Sequence, residues 1–325
     1  MPGGEKIKEE RRILVEPAED GLRLDLLLSR RYDRFSRADW QKRIKDGRVQ
    51  VDEAPARASR KMRSGESIRF VYERPPEPAV DRDVGTVYED EHLLLLSKPG
   101  NLPMYAAGNY RQNTLHRLLK ETYGESFRAH FAHRLDRETS GLLLLAKNPP
   151  TAARLQKLFA TGGVRKEYIT IVEGAFPEYL DADGWIGRDE KSVIRRKRVF
   201  AGKSFRSAAT CRTEFFRLQQ SPELSLLRVR LHSGRLHQIR ATLCSLGFPV
   251  TGDRMYGVDE TAFLRLMEDT ESDEDRIRLR LNRTALHATR LAFRHPVSGE
   301  QMDFFHPPPP DMNSLFPQYQ HQPVP

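Results

Sequence analysis

The chain has 325 residues, 54 Lys plus Arg against 45 Asp plus Glu, and a formal net charge of +9. Hydrophobic residues make up 38% and charged residues 30%, a composition that excludes a membrane protein and a wholly disordered one. Two cysteines, Cys211 and Cys244, and ten histidines without HExxH spacing exclude a disulfide scaffold and predict no metal centre.

The N-terminus, MPGGEKIKEERR, is charged from its fifth residue and precedes no apolar run. It reads as a charged leader, residues 1–17, and not as a secretory signal. No apolar stretch approaches the ~20 residues that span a bilayer. An intracellular, cytoplasmic protein without membrane contact is expected.

Residues 18–75 read as a small module. Leu24, Leu27 and Leu28 form an i, i+3, i+4 stripe. Ser36 with Asp39 signals the start of a second helix, with Trp40 and Ile44 on one face and Gly47 as its C-terminal stop. Val49 and Val51 alternate as a strand, as do Ile68, Phe70 and Tyr72. Twelve cations crowd this module: Arg30, Arg31, Arg34, Arg37, Lys42, Arg43, Lys45, Arg48, Arg57, Arg60, Lys61 and Arg63. A solvated surface is the common meaning of such a run, but this density favours nucleic acid, whose phosphates would make binding salt-sensitive.

The run from Arg23 to Phe70 resembles the S4 RNA-binding domain, through RLD-x-x-L, Ser-Arg before the second helix, G-x-V-x-V, and G-E-x-I-R-F. The resemblance implies structured RNA as partner, with Arg37, Lys42, Arg43, Lys45 and Arg48 as its contacts. Asp52-Glu53 stands where the pattern has Asn-Gly, which predicts a differently shaped hairpin.

Pro75, Pro76 and Pro78 mark a linker over residues 76–85. Leu93–Leu96 and Leu142–Ala146 have the length of buried strands. Between them lies His133-Arg134-Leu135-Asp136-Arg137-Glu138-Thr139-Ser140-Gly141, a polar loop entering the second strand. Asp136 between two arginines stays ionised and could serve as nucleophile or base. By itself the segment reads more readily as a structural Asp–Arg turn.

HRLDRETSGLLLLAK resembles the signature of the RluA-type pseudouridine synthases. The resemblance implies Asp136 as the catalytic aspartate, Arg134 as the residue filling the stack left by the target base, and His133 as a substrate neighbour. Lys166 and Tyr168 share one face of the strand from Val164, with Ile169 and Ile171 on the other. In the family's K-x-Y motif, Tyr168 packs on the target base and Lys166 steadies the site. Ser233-Gly234-Arg235-Leu236-His237-Gln238-Ile239-Arg240, followed by Gly252-Asp253 and Tyr256-Gly257, resembles a further family motif. It implies Arg240 as the salt-bridge partner of Asp136 and Arg235 as a phosphate contact. Ser233 and Leu236 depart from its two threonines. Weaker echoes lie at Tyr88–His92, Lys98-Pro99-Gly100, His287-Ala288 and His295-Pro296.

The expected architecture is α+β: the S4-like module, then a catalytic domain over 86–306 on a mostly antiparallel mixed sheet with flanking helices. Residues 269–280 read as an acidic solvated loop or exposed helix, and 307–325 as a flexible proline-rich tail. The expected activity is isomerisation of uridine to pseudouridine in RNA by base flipping, without cofactor or metal, by a monomer. By family analogy the S4 module favours large-subunit ribosomal RNA or pre-ribosomal particles. A tRNA synthase, a ribosome-assembly factor with an unused synthase domain, and a DNA-binding regulator are the competing readings.

Overall fold

A computed structural model describes residues 7–32, 35–74, 76–257, 261–267 and 270–319. The expectations for residues 1–6, Arg34, Pro75, Asp269 and 320–325 lie outside the described residues. The chain divides into two compact units between Pro78 and Ala79.

The N-terminal unit contains β1 (Ile7–Leu14), α1 (Leu24–Arg31), α2 (Arg37–Lys45), β2 (Val49–Val51), β3 (Ala54–Pro55) and β4 (Ser67–Arg74). Its strands pair antiparallel in the order β1-β4-β2-β3. The charged leader is therefore corrected: Ile7 to Leu14 pair with β4 along their whole length. Cross-strand charge pairing explains how so polar a segment forms a strand, since Glu10 accepts from Arg69 at 2.6 and 2.9 Å.

Leu24, Leu27 and Leu28 pack with Trp40, Ile44, Val49, Val51, Ile68 and Phe70. Each such burial contributes about 1.5–3 kcal/mol before entropy is counted. Ser36 and Asp39 form the expected reciprocal cap, with Asp39 N–H donating to Ser36 Oγ and Ser36 N–H to the Asp39 carboxylate. The altered hairpin is also corrected. Asp52 and Glu53 both take left-handed backbone, with φ of 47° and 63°, the shape that Asn-Gly would give. Ser67 N–H donates to Asp52 Oδ1 at 2.9 Å, and Glu53 pairs with Arg12 and Arg69, which offsets the strain.

The second unit holds β5 (Gly85–Glu89), β6 (Leu93–Lys98), α3 (Leu115–Tyr123), β7 (His130–Phe131), β8 (Ser140–Ala146), α4 (Pro149–Ala160), β9 (Val164–Glu173) and β10 (Tyr179–Arg188). It continues through β11 (Arg198–Ala201), β12 (Ala209–Gln220), β13 (Leu224–Leu231), α5 (Gln238–Ser245), α6 (Thr261–Met267), α7 (Asp273–Leu279), β14 (Leu286–Arg294), β15 (Gln301–Phe305) and α8 (Pro310–Asn313). Among the described residues, 11 strands form one mixed sheet in the order β11-β10-β12-β13-β9-β14-β8-β6-β5, with β15 on β14 and β7 on β8. The β14–β8 pair is parallel and the others are antiparallel.

Period two sends Leu94, Leu96, Leu143 and Leu145 into one core, and Leu93, Leu95, Leu142 and Leu144 into the other. Both faces are covered, so the strands read as unbroken leucine runs. Gly141 is required where β8 meets β14. Its φ is +108°, and a Cβ there would lie 2.3 Å from Ala288 O.

Two boundaries shift. Ala79 O accepts from Asn101 Nδ2, and Val80 and Val84 pack on the main core, so the linker ends earlier than residue 85. The tail is ordered at least to Tyr319. Met312 and Phe316 are buried, and Asp311 receives a two-point bond from Arg283 at 2.7 and 2.8 Å. Two apolar anchors spaced one helical turn apart suffice to seat a segment too polar in sum to suggest it. We expect Phe316→Ala to cost about 3 kcal/mol in denaturant unfolding; a loose tail would give no change. Residues 273–279 form α7, capped by Ser272 and Asp275. No helix among the described residues is long and apolar enough to cross a membrane.

Candidate active site

A cleft of about 310 Å³ opens in the second unit, lined by the loop before β8, the first half of β9, and the turn into α5 with its first residues. His133, Arg134, Asp136, Lys166, Tyr168, Arg235 and Arg240 all border it. The residues assigned to RNA contact, Arg37, Lys42, Arg43, Lys45 and Arg48, belong to the N-terminal unit.

The loop carrying Asp136 is held from several sides. Lys98, at the end of β6, is fully buried and donates to the carbonyls of Pro99, Leu102 and Arg137 at 2.8, 3.0 and 3.1 Å. Burial, more than any neighbouring charge, brings its pKa down to about 7. Leu102 N–H also donates to Arg137 O, and Leu135 N–H to Met104 Sδ. Thr139 N–H donates to Asp136 O and closes the turn.

Asp136 meets Arg240 directly, with Nη1 donating to Oδ2 at 2.7 Å. The other edge of the same guanidinium grips Asp253, Nε to Oδ2 at 2.5 Å and Nη2 to Oδ1 at 2.9 Å. Asp253 is wholly buried, and its Oδ1 also accepts the N–H groups of Met255 and Tyr256. One cation is thus fixed by a buried carboxylate and offered to a second that faces the cleft. Burial pushes the Asp136 carboxyl up. The charge of Arg240, its hydrogen bond and the charge of Arg134 outweigh it and hold the carboxyl below its ordinary range.

His237, the N-cap of α5, has left-handed backbone at φ 56°. Its Nδ1 lies 2.9 Å from the Tyr256 hydroxyl, whose oxygen accepts Arg198 N–H at 2.8 Å. The other ring nitrogen, Nε2, faces Asp136 Oδ1 at 3.8 Å. Burial lowers the His237 pKa to about 4, so the ring is neutral near pH 7.

Tyr168 and Lys166 project from β9 into the cleft and are 7% and 8% exposed. Burial, and then the negative charge of Asp136, raise the Tyr168 phenol, so it stays neutral. The Lys166 ammonium has no hydrogen bond or ion pair among the described residues, and its Nζ sits 5.9 Å above the Phe159 ring. A buried ammonium without an anion is costly, so the site is suited to an anionic or carbonyl oxygen at this point.

Arg134 is exposed on the rim. Arg235 is exposed too, with Nε donating to Thr210 O at 3.2 Å. His133 borders the cleft and also has structural contacts. Its Nε2 accepts Leu144 N–H at 2.9 Å, and its ring stacks on Phe159 at 4.7 Å. Burial, reinforced by Lys166, lowers its pKa to about 3. This side chain ties the loop to β8.

Sequence reasoning named Gly252-Asp253 and Tyr256-Gly257 without a role, and passed over His237 and Lys98 as site residues. The acidic partner of Arg240 stands 13 residues away in the chain, and only the fold brings it into contact.

A family model described as RNA pseudouridylate synthase matches residues 92–245. The sequence is 32% identical to ribosomal large subunit pseudouridine synthase D of Zymomonas mobilis, over 91% of this chain and 93% of that one. Identity to the protein of the same name from Nitrosomonas europaea is 33%, over 91% and 83%. An RNA pseudouridine synthase of Aquifex aeolicus is 32% identical over 96% and 97%. The fold is similar to that of human RNA pseudouridylate synthase domain containing 1, with a TM-score of 0.58, 24% identity, and coverage of 74% and 89%.

Proposed function

The chain belongs to the RluA-type RNA pseudouridine synthases, and on that premise we propose that it modifies large-subunit ribosomal RNA with Asp136 as the essential carboxylate. Uridine isomerisation breaks the N1–C1′ bond, turns the base and joins C5 to C1′. The proton on C5 leaves and N1 takes one up, so nothing is gained or lost overall.

The observation that carries the reading is the Asp136–Arg240 contact at the cleft. An ionised, aimed carboxylate acts on the sugar as nucleophile or base. Tyr168 packs against the flipped uracil, and Lys166 meets an oxygen of the nucleotide. Arg134 fills the space the base has left. Arg235 contacts a phosphate from the rim.

The N-terminal unit adds RNA affinity in the manner its S4-like sequence implies. Lys42, Lys45 and Arg48 are exposed, and Arg37 is half exposed while Nε donates to buried Asp25 at 3.0 Å. Arg43 lies 3.9 Å over Phe35, so it serves the fold as well as the surface. The enzyme works as a cytoplasmic monomer without cofactor. Pseudouridine mapping of ribosomal and transfer RNA, in cells with and without the gene, tests the substrate. Loss of sites in large-subunit RNA is expected; loss confined to tRNA would reassign it.

A further inference from the structure

Arg283 lies at a junction that the chemistry above does not use, and its guanidinium faces two ways. Nε and Nη2 fork onto the Asp311 carboxylate at 2.7 and 2.8 Å. Nη1 reaches Glu138 O and Ser140 Oγ, each at 3.4 Å, where the loop that carries Asp136 runs into β8. The contact is reciprocal, because Glu138 Oε2 accepts the N–H and the hydroxyl of Thr284 at 3.1 and 3.0 Å. Gly100, two residues after Lys98, packs on the Arg283 stem, and a Cβ there would lie 2.5 Å from Cδ.

The same short segment touches the other half of the site. Asn282 O accepts Arg254 Nη1 at 2.7 Å, and Ala285 N–H donates to Thr251 O at 2.9 Å. Gly252 abuts Arg283 so closely that a Cβ would come within 2.1 Å of the Arg283 carbonyl oxygen. Residues 251–254 form the turn that presents Asp253 to Arg240. Residues 282–285 are therefore wedged between the loop of Asp136 and the turn that fixes Arg240.

The wedge is pinned from the segment after β15. Asp311 is the second residue of α8, and four prolines, 307–310, lead into it with φ fixed by their rings. His306 N–H donates to Thr289 O on one side of this run, and Met312 and Phe316 are buried on the other. Met312 N–H also donates to Asp311 Oδ1 at 2.9 Å. The carboxylate is thus delivered to Arg283 by a stiff stretch of chain anchored at both ends.

We propose that Asp311 and Arg283 are positioning residues for the Asp136–Arg240 pair, and that residues 307–316 are thereby a working part of the active site. This rests on the reading of the cleft as a pseudouridine synthase site. Asp311 holds the Arg283 fork, and the segment around Arg283 sets the loop of Asp136 and the turn of Asp253 against each other.

The test uses the full-length protein with Asp311→Asn, Asp311→Glu and Arg283→Lys, and with Asp303→Asn as control. The control breaks a matched pair that ties β14 to β15: Arg290 forks onto Asp303 at 2.9 and 2.6 Å, with side-chain exposures of 13% and 43% against 11% and 40% for Arg283 and Asp311. Single-turnover pseudouridine formation on transcribed large-subunit RNA, filter binding, thermal unfolding, and amide exchange over residues 133–140 are read side by side. Asp311→Asn and Asp303→Asn should lower the unfolding midpoint by similar amounts. Asp311→Asn alone of the two should also slow turnover about ten-fold and speed exchange in the loop, with Kd unchanged, because a small misplacement of the reacting group is felt in rate and not in binding. Arg283→Lys should lose at least as much, since one ammonium cannot serve both Asp311 and the loop, and Asp311→Glu should recover part of the rate. Equal rates in Asp311→Asn and the control, or faster loop exchange without loss of rate, would overturn the proposal. A wild-type protein that forms no pseudouridine would remove the enzymatic reading, and exchange over 133–140 would then decide whether Asp311 holds the loop. If Arg283→Lys fails to fold, Asp311→Asn, at a half-exposed carboxylate, gives the answer.

Discussion

Asp136→Asn removes turnover and keeps the fold. Single-turnover pseudouridine formation is expected to fall by at least about 10,000-fold, the scale on which loss of a reacting group is felt. Asparagine has the same shape and still offers an oxygen to Arg240 Nη1, so the loop held by Lys98, Leu102 and Met104 keeps its position. What it lacks is the charge and nucleophilicity of the carboxylate. RNA affinity measured beside turnover should change little. A variant that keeps a tenth of the wild-type rate would remove Asp136 from the chemistry.

Arg240→Gln is expected to move the acidic limb of the pH–rate profile upward and to destabilise the protein. Two carboxylates share this one guanidinium, and Asp253 is wholly buried. Breaking a buried pair on one side costs about 3–5 kcal/mol, because the remaining charge has no partner. In the wild type Asp136 sits below its ordinary range, so it contributes stability above that range and loses it as pH falls through the lowered value. Without Arg240, burial dominates and raises the carboxyl. The variant should then become less stable as pH rises from acid to neutral, the opposite slope. Arg240→Lys should rescue part of the pH shift and little of the stability, since an ammonium cannot fork to both acids. Rate profiles and urea unfolding at several pH values check both expectations. An unchanged acidic limb would show that Arg240 does not set the ionisation of Asp136.

Much of this site was legible because it is written in contiguous motifs. The loop around Asp136, the Lys166–Tyr168 face and the turn into Arg240 each lie within a few residues, and period-two strands bring them to one cleft. The leucine runs disclosed doubly covered strands for the same local reason. The missed features depend on distant partners. Asp253 reaches Arg240, and Arg198 reaches His237 through Tyr256, only after folding. The strand at Ile7–Leu14 was hidden because its charges are balanced across the ladder by Arg69 and β4. The C-terminal segment was hidden because two anchors, Met312 and Phe316, outweigh a polar average. His133 has the residue type of a substrate contact, and its use as an acceptor for Leu144 is a matter of geometry alone.

Isomerisation of uridine by Asp136 in this cleft is tested most directly by incubating purified protein with unmodified large-subunit ribosomal RNA, without added cofactor, and mapping pseudouridines at nucleotide resolution. Pseudouridine is expected at one or a few defined uridines with wild-type protein and at none with Asp136→Asn. No pseudouridine from the wild type, or the same sites at equal rate from the variant, would contradict it.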